Sequence, residues 1–367
     1  MIPAILYKSV YINIVLILTL CYILSLKQQT DKQILKGTTD YLPAFILSII
    51  VAFYMGLRPV SMAFGDTVVY NRIYLMNDAM FRSQFHEGEE LFGWIMETCR
   101  PIMDIKGFFL LIDISYLGFM FWGCKRLMPN NTMAAVLFNI ASFSFFTFGT
   151  NGIRNGLACS IVILGFAFMA TDKKSPIKGL LICLIASMLH KSVALPTAMS
   201  IVSIYIIKDF RHAYLFWILS IAISLVFGNS VANLFATMGF DDRMTEYLNN
   251  SEYNHQFSST GFRWDFLLYS AMPIVLGYYI VIKRGIRNRT YEFLLNTYVL
   301  SNSFWVMVIR AAFSNRFAYL SWFLYPIVIA YPLLKLPIWK ENQGKRLKQI
   351  MLANVGFTYI MWLLGKL

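Results

Sequence analysis

Residues 177–207 read IKGLLICLIASMLHKSVALPTAMSIVSIYII, and the fold turns on whether they form one helix or two. As one helix these 31 residues reach about 46 Å at a rise of about 1.5 Å per residue. A bilayer core is only about 30 Å thick. His190-Lys191 divides the stretch into two short apolar pieces, 177–190 and 192–207. Counted as two, they bring the apolar stretches of the chain to twelve. These lie near 3–26, 42–58, 107–124, 132–149, 152–170, 177–190, 192–207, 213–238, 264–282, 290–309, 316–334 and 349–366.

Charge sidedness supports the division. Twelve spans put the connections 27–41, 125–131, 171–176, 208–212, 283–289 and 335–348 on one side, with both ends of the sequence on the other. With Lys178 and Glu292 at the mouths of their helices, that side carries nineteen Lys and Arg against six Asp and Glu. The rest of the chain carries thirteen of each sign. Merging 177–207 into one span would move Lys283, Arg284, Arg287 and Arg289 to the opposite face, which the positive-inside rule opposes. The net charge of +13 is therefore a topology signal, and no nucleic acid is needed to explain it. The basic face is read as cytoplasmic.

Composition agrees. Of the 367 residues, 58% are hydrophobic and 14% charged, against roughly 25% charged in a soluble domain. Mean hydropathy is +0.58. A water-soluble globule and a disordered chain are both excluded. Met1–Leu26 has no small-residue cleavage site after its apolar run and reads as a retained first span. The five cysteines include no CxxC pair, so disulfide and zinc frameworks are poor readings. The expected architecture is an all-α polytopic membrane protein of about twelve transmembrane helices, one domain over 1–367.

Two long connections lie on the outer side. In 59–106, Val69, Ile73, Met76 and Met80 recur at helical spacing, as do Leu91, Trp94, Ile95 and Thr98. They predict short helices lying on the membrane surface, the second ended by Pro101. The other connection, 239–263, is rich in Asn, Ser and Asp, with a mobile section expected over 249–260.

The outer face holds the candidate chemistry. Asp66 and Tyr70 stand in Gly65-Asp-Thr-Val-Val-Tyr70, and Glu87, Glu89 and Glu90 in His86-Glu-Gly-Glu-Glu-Leu-Phe92. They read either as a solvated acidic loop or as a general base over the membrane mouth. Arg154 opens the fifth span beside Asn151, Gly152, Asn155 and Gly156. Snorkelling explains most such arginines. Free N–H groups and the helix dipole also make this an anion site, to which a guanidinium adds a bidentate fork.

His190, in the tight outer turn His190-Lys191-Ser192, suits proton transfer near neutral pH, although a lone His is usually structural. Arg263 and Asp265 open the ninth span, Arg310 closes the tenth, and Arg316 opens the eleventh in Asn315-Arg-Phe-Ala-Tyr319. With Arg154 these arginines suggest a convergent basic pocket for a polyanionic headgroup. Asp265 either orients Arg263 or forms a simple salt bridge with it. Tyr70, Tyr74, Trp94, Tyr247, Tyr253, Phe262 and Trp264 stand on the outer side, where an interfacial aromatic belt is expected.

Other chemistry is absent from the sequence. It has no P-loop, GxGxxG, HExxH or nucleophile elbow, and no Asp-x-Asp pair for a metal-bound nucleotide sugar. Asp113 is the main mid-membrane charge, where ion-coupled transporters usually carry more. No cofactor and no metal are expected.

In this order, the outer motifs resemble the EpsG-like family, which includes Wzy-type O-antigen and exopolysaccharide repeat-unit polymerases. The matching pieces are Asp-x-x-x-Tyr at Asp66 and Tyr70, Glu-x-x-Phe at Glu89 and Phe92, and Ile-Arg-x-x-Leu-Ala at Ile153 to Ala158. His-x-Ser-x-x-Leu at His190 to Leu195, Arg-x-Asp at Arg263 and Asp265, and Arg316 to Tyr319 complete the set. Asn155 stands where the family often has Gln.

The resemblance implies a GT-C-like glycosyltransferase of the bacterial inner membrane, its active site facing the periplasm. Donor and acceptor would be undecaprenyl-pyrophosphate-linked oligosaccharides, gripped from the membrane lipid without a metal. A chain-length regulator protein is left open as a partner. The implied roles give the pyrophosphates to Arg154, Arg263, Arg310 and Arg316, with Tyr319 beside them. The acceptor proton goes to His190, Asp66 or Glu89, and Tyr70 and Asp265 orient their neighbours. An O-antigen ligase shares donor and fold and differs in acceptor. A lipid-linked oligosaccharide flippase or other transporter needs a charged path through the bilayer. A membrane acyltransferase needs His and Arg reachable from inside, where His212 is the only His.

Overall fold

The structure, a computed structural model, describes residues 2–84, 90–172, 175–237, 261–310 and 315–365, with backbone alone at 229, 231–237 and 315. Every element of regular structure among them is helical. The helices are α1 (Ala4–Ser25), α2 (Asp31–Lys36), α3 (Leu42–Gly56), α4 (Thr67–Tyr74), α5 (Asp78–Arg82), α6 (Glu90–Cys99), α7 (Ile105–Leu127), α8 (Thr132–Ile140) and α9 (Phe145–Thr150). They continue with α10 (Ile153–Thr171), α11 (Ile177–Leu189), α12 (Ala194–Tyr205), α13 (Phe210–Thr237), α14 (Trp264–Gly277), α15 (Arg289–Met307), α16 (Asn315–Trp322), α17 (Tyr325–Lys335) and α18 (Gln343–Leu363).

All twelve apolar stretches contain helix. Six helical segments among the described residues are long and apolar enough to cross a bilayer, and Leu42–Gly56 and Ile177–Leu189 are shorter apolar helices. The chain is a multi-pass helical membrane protein.

The chain divides into two compact units, Met1–Val193 with Ala330–Leu367, and Ala194–Ile329. In the first, α7 packs between α3 and α10, and α10 packs on α11. Small residues set these crossings. A Cβ on Gly56 would come within 2.6 Å of Leu110 Cα, and one on Gly179 within 2.3 Å of the Gly165 carbonyl. The short 172–176 connection makes α10 and α11 an antiparallel hairpin.

In the second unit, α15 packs on α12 and α13. It is buried all round, carrying Asn296, Thr297, Ser301, Asn302 and Ser303 in the interior. Asn302 finds partners for both ends of its amide. Trp217 Nε1 donates to Asn302 Oδ1 at 2.9 Å, and Asn302 Nδ2 donates to Ser321 Oγ at 3.0 Å.

Within each unit, connections assigned to the basic face meet one another. In the first unit the Thr38 N–H donates to the Asn130 carbonyl at 2.7 Å. Asp31 accepts the Gln343 and Gly344 N–H groups at 3.0 and 2.8 Å. The loops 27–41, 125–131 and 335–348 thus gather at one end. In the second unit Arg287 bridges Asp209 at 3.5 Å and Glu292 at 2.8 Å, joining 208–212 to 283–292. The Arg211 N–H and Arg287 hold the Asp209 carboxyl below its ordinary range.

Three local expectations change. The stretch 132–149 is two helices, broken at 141–144, where Ser142 Oγ donates back to the Asn139 carbonyl at 2.7 Å. The 264–282 helix passes into a π-helical turn over Tyr278–Lys283. The periodic run 69–80 forms α4 and α5, because Asn77 caps a new helix by accepting the Met80 N–H at 2.9 Å. On this pair the buried residues are Thr67, Tyr70, Tyr74 and Phe81. Val69 and Met80 are exposed, as expected of helices resting on a lipid surface. The section 249–260 lies outside the described residues.

Candidate active site

At the end of the first unit away from the 125–131 connection, the turn after α3 is clasped to the turn between α9 and α10. Gly65 adopts φ +56°, which side chains resist, and a Cβ there would come within 2.3 Å of Asn151 Oδ1. That oxygen accepts the Asp66 N–H at 2.8 Å, and Thr67 Oγ1 donates to the Thr150 carbonyl at 3.1 Å. Asp66 is exposed at the start of α4.

Arg154 stands on the first turn of α10, half-buried. Its Nε donates to the Tyr70 hydroxyl oxygen at 3.0 Å. Its guanidinium carbon lies 5.8 Å from the Tyr70 ring centroid and 6.0 Å from that of Phe92, within cation–π range. The Tyr70 and Phe92 rings pack 6.0 Å apart. The α10 N-terminus has no side-chain cap, so its first N–H groups and the positive end of its dipole add to the arginine's field. The structure thus brings together Asp66, Tyr70 and Arg154, residues that lie up to 88 positions apart in the sequence. Glu89 and Glu87 lie outside the described residues.

The α10–α11 hairpin returns His190 to the end of α10 that carries Arg154. His190 is half-buried. The Ser192 N–H donates to its Nδ1 at 3.3 Å, and Ser192 Oγ lies 2.7 Å from the same atom. A backbone N–H only donates, so Nδ1 accepts and a neutral ring carries its proton on Nε2.

A recess of about 670 Å³ opens one turn further along α4, lined in part by Tyr74, Asp78, Glu97, Arg100 and Asp104. Arg100 Nε donates to the Tyr74 carbonyl at 3.0 Å, and its Nη1 pairs with Asp78 at 3.2 Å. Burial pushes the Tyr74 hydroxyl up to about 12, so it stays protonated and donates to the Met103 carbonyl at 2.9 Å.

The other expected site residues belong to the second unit. Arg263 gives both arms of one fork to Asp265, at 3.0 and 2.8 Å, with its guanidinium 3.7 Å from the Phe266 ring centroid. Arg310 donates from Nε to the Ser224 carbonyl at 3.3 Å. Arg316 is exposed at the start of α16. One turn on, Tyr319 packs against Trp322 with ring centroids 5.5 Å apart.

Two residues at this end were not singled out from the sequence. Asn151, which fastens the clasp, was read only as a neighbour of Arg154. Arg58, in Leu57-Arg-Pro59, is fully buried and pairs with Asp113 at 2.7 Å. The available signal was Asp113 itself, since an acid inside an apolar span needs a cation.

No curated protein and no solved structure matches the chain. The family model described as EpsG matches residues 41–366.

Proposed function

The chain belongs to the EpsG family, and from that premise we propose that it lengthens lipid-linked saccharides by glycosyl transfer at the Arg154 end of its helices. In full, this is a twelve-span, GT-C-like glycosyltransferase of the bacterial inner membrane, acting on the periplasmic face. It joins undecaprenyl-pyrophosphate-linked repeat units and releases undecaprenyl pyrophosphate.

The observation that carries the reading is Arg154. A guanidinium is held by the Tyr70 hydroxyl and the rings of Tyr70 and Phe92 at an uncapped helix N-terminus, next to the turn where Asn151 fastens the Asp66 backbone. That arrangement suits a diphosphate leaving group. The acceptor hydroxyl oxygen bonds to the anomeric carbon of the donor sugar as the bond from that carbon to the pyrophosphate oxygen breaks. The departing electron pair settles on the pyrophosphate, where Arg154 and the helix N–H groups stabilise it. Tyr70 holds the guanidinium in place. The hydroxyl proton passes to a carboxylate, for which Asp66 and Glu89 are the candidates.

With Nδ1 engaged by Ser192, His190 serves as an Nε2–H donor to substrate oxygen, and the base role falls to the acids. The recess beside Tyr74 offers carboxylates and an arginine to sugar hydroxyls, at a volume usual for ligand sites of about 300–1,000 Å³. Arg263, Arg310 and Arg316 remain proposed headgroup contacts. Arg263 must leave Asp265 to offer the same fork to a phosphate.

Deleting the gene and running surface polysaccharide on a gel tests the reading. Loss of the ladder with a retained one-repeat band supports polymerisation. Loss of every repeat supports export or ligation instead.

A further inference from the structure

Beneath the Arg154 end lies an ion pair that the proposed chemistry does not use. Arg58 and Asp113 are both 0% exposed. Arg58 Nη1 donates to the Met55 carbonyl at 2.8 Å and to Asp113 Oδ2 at 2.7 Å, and the guanidinium lies 4.5 Å from the Phe109 ring centroid. Arg58 Nε and Nη2 and Asp113 Oδ1 have no hydrogen-bond partner among the described residues. A pair left this incomplete does not offset the desolvation of its own charges, and apolar side chains of similar size often serve stability as well or better. Stability alone therefore does not account for it.

Its neighbours suggest what does. Gly149 of α9 lies flush against the pair. An ideal Cβ there would stand 3.2 Å from Asp113 Oδ1, 3.1 Å from Tyr116 Cε1 and 2.0 Å from Met55 Cε. Tyr116, one turn past Asp113 on α7, donates to the Phe145 carbonyl at 3.2 Å. The pair thus joins the end of α3 to α7 directly under α9, whose last residues run into Asn151 and the first turn of α10. Downstream of Arg58, the chain reaches Gly65 and Asp66, which fasten to Asn151 from the other side.

We infer that Arg58 and Asp113 are positioning residues that fix the α9–α10 turn, and through it Arg154, for the reaction. The inference rests on the polymerase reading for its catalytic part and on geometry alone for its structural part.

The test is the double variant Arg58→Met with Asp113→Leu, which removes both charges together. Purified in detergent, it is compared with the wild type in melting temperature, in hydrogen exchange over 145–154, and in lengthening of a lipid-linked repeat unit. The expected result is an unchanged melting temperature, exchange over 145–154 at least about tenfold faster, and lengthening reduced about 100-fold, the cost of misplacing a catalytic group by about 1 Å. Arg58→Lys, which keeps opposite charges together, recovers part of the lengthening.

Unchanged exchange over 145–154 overturns the inference. So does faster exchange with wild-type lengthening, because the turn is then irrelevant to the reaction. If wild-type protein lengthens nothing, the polymerase reading fails, and the exchange measurement still decides whether the pair fixes the turn. If the double variant does not fold, Arg58→Lys takes its place in the exchange and lengthening measurements. Faster exchange with slower lengthening then supports the inference, and wild-type values in either overturn it.

Discussion

Two Arg–Asp pairs in this molecule use the same side chains in opposite surroundings. Arg58–Asp113 is sealed between helices with a single short contact and three polar atoms unpartnered among the described residues. Arg263–Asp265 spans two residues of chain, makes two parallel hydrogen bonds, and is 21% and 37% exposed. The exposed pair has the better geometry and the smaller energetic weight, because water already solvates both partners. The buried pair has the poorer geometry and the larger weight, because each charge depends on the other. Contact quality alone is thus a poor guide to which pair the protein depends on.

The contrast can be broken at its strongest point. Removing one partner of the buried pair, as in Asp113→Ala, strands a guanidinium in the interior and should cost about 3–5 kcal/mol. Folded protein recovered from membranes and its melting temperature should both fall sharply, and adding Arg58→Met to the same chain should restore them. A single variant as stable as the wild type would remove the contrast.

Next in size is Gly149→Ala, whose added methyl meets Met55 and the Asp113–Tyr116 surface. Overpacking of this kind costs about 1–3 kcal/mol, read as a lower melting temperature. Tyr70→Phe removes the acceptor of the Arg154 Nε–H and keeps the ring. It should slow chain lengthening by about tenfold, on the scale of one hydrogen bond to a charged group, while leaving the melting temperature in place. Smallest of all, Asp265→Ala should alter stability by less than about 1 kcal/mol. A large loss there would show that exposure had misled the comparison.

Much of the architecture was legible in the residues. Apolar runs of span length have few alternatives to helix, and the 177–207 stretch divides where His190-Lys191 interrupts it. The charge assignment anticipated that loops 27–41, 125–131 and 335–348 would lie together, as the Asp31 and Asn130 contacts have them. The break at 141–144 was not legible. It depends on Ser142 and Asn139 turning back onto the backbone, which hydrophobicity does not report.

At the site, Asp66, Tyr70 and Arg154 were each named from the sequence. Their meeting depends on Gly65 and Asn151, a turn conformation paired with a side-chain amide 86 positions away. Arg58 was missed because an arginine beside a proline at a helix end looks like one that snorkels. Only the fold shows it turned inward.

The proposed chemistry depends most on Arg154 as the group that receives the departing pyrophosphate. The decisive comparison is lengthening of a lipid-linked repeat unit by purified wild-type protein and by Arg154→Ala at equal folded concentration. With Arg154 in that role, the wild type gives a ladder of products and the variant leaves only single-repeat starting material, with matching melting temperatures. A full ladder from the variant would remove Arg154 from the reaction.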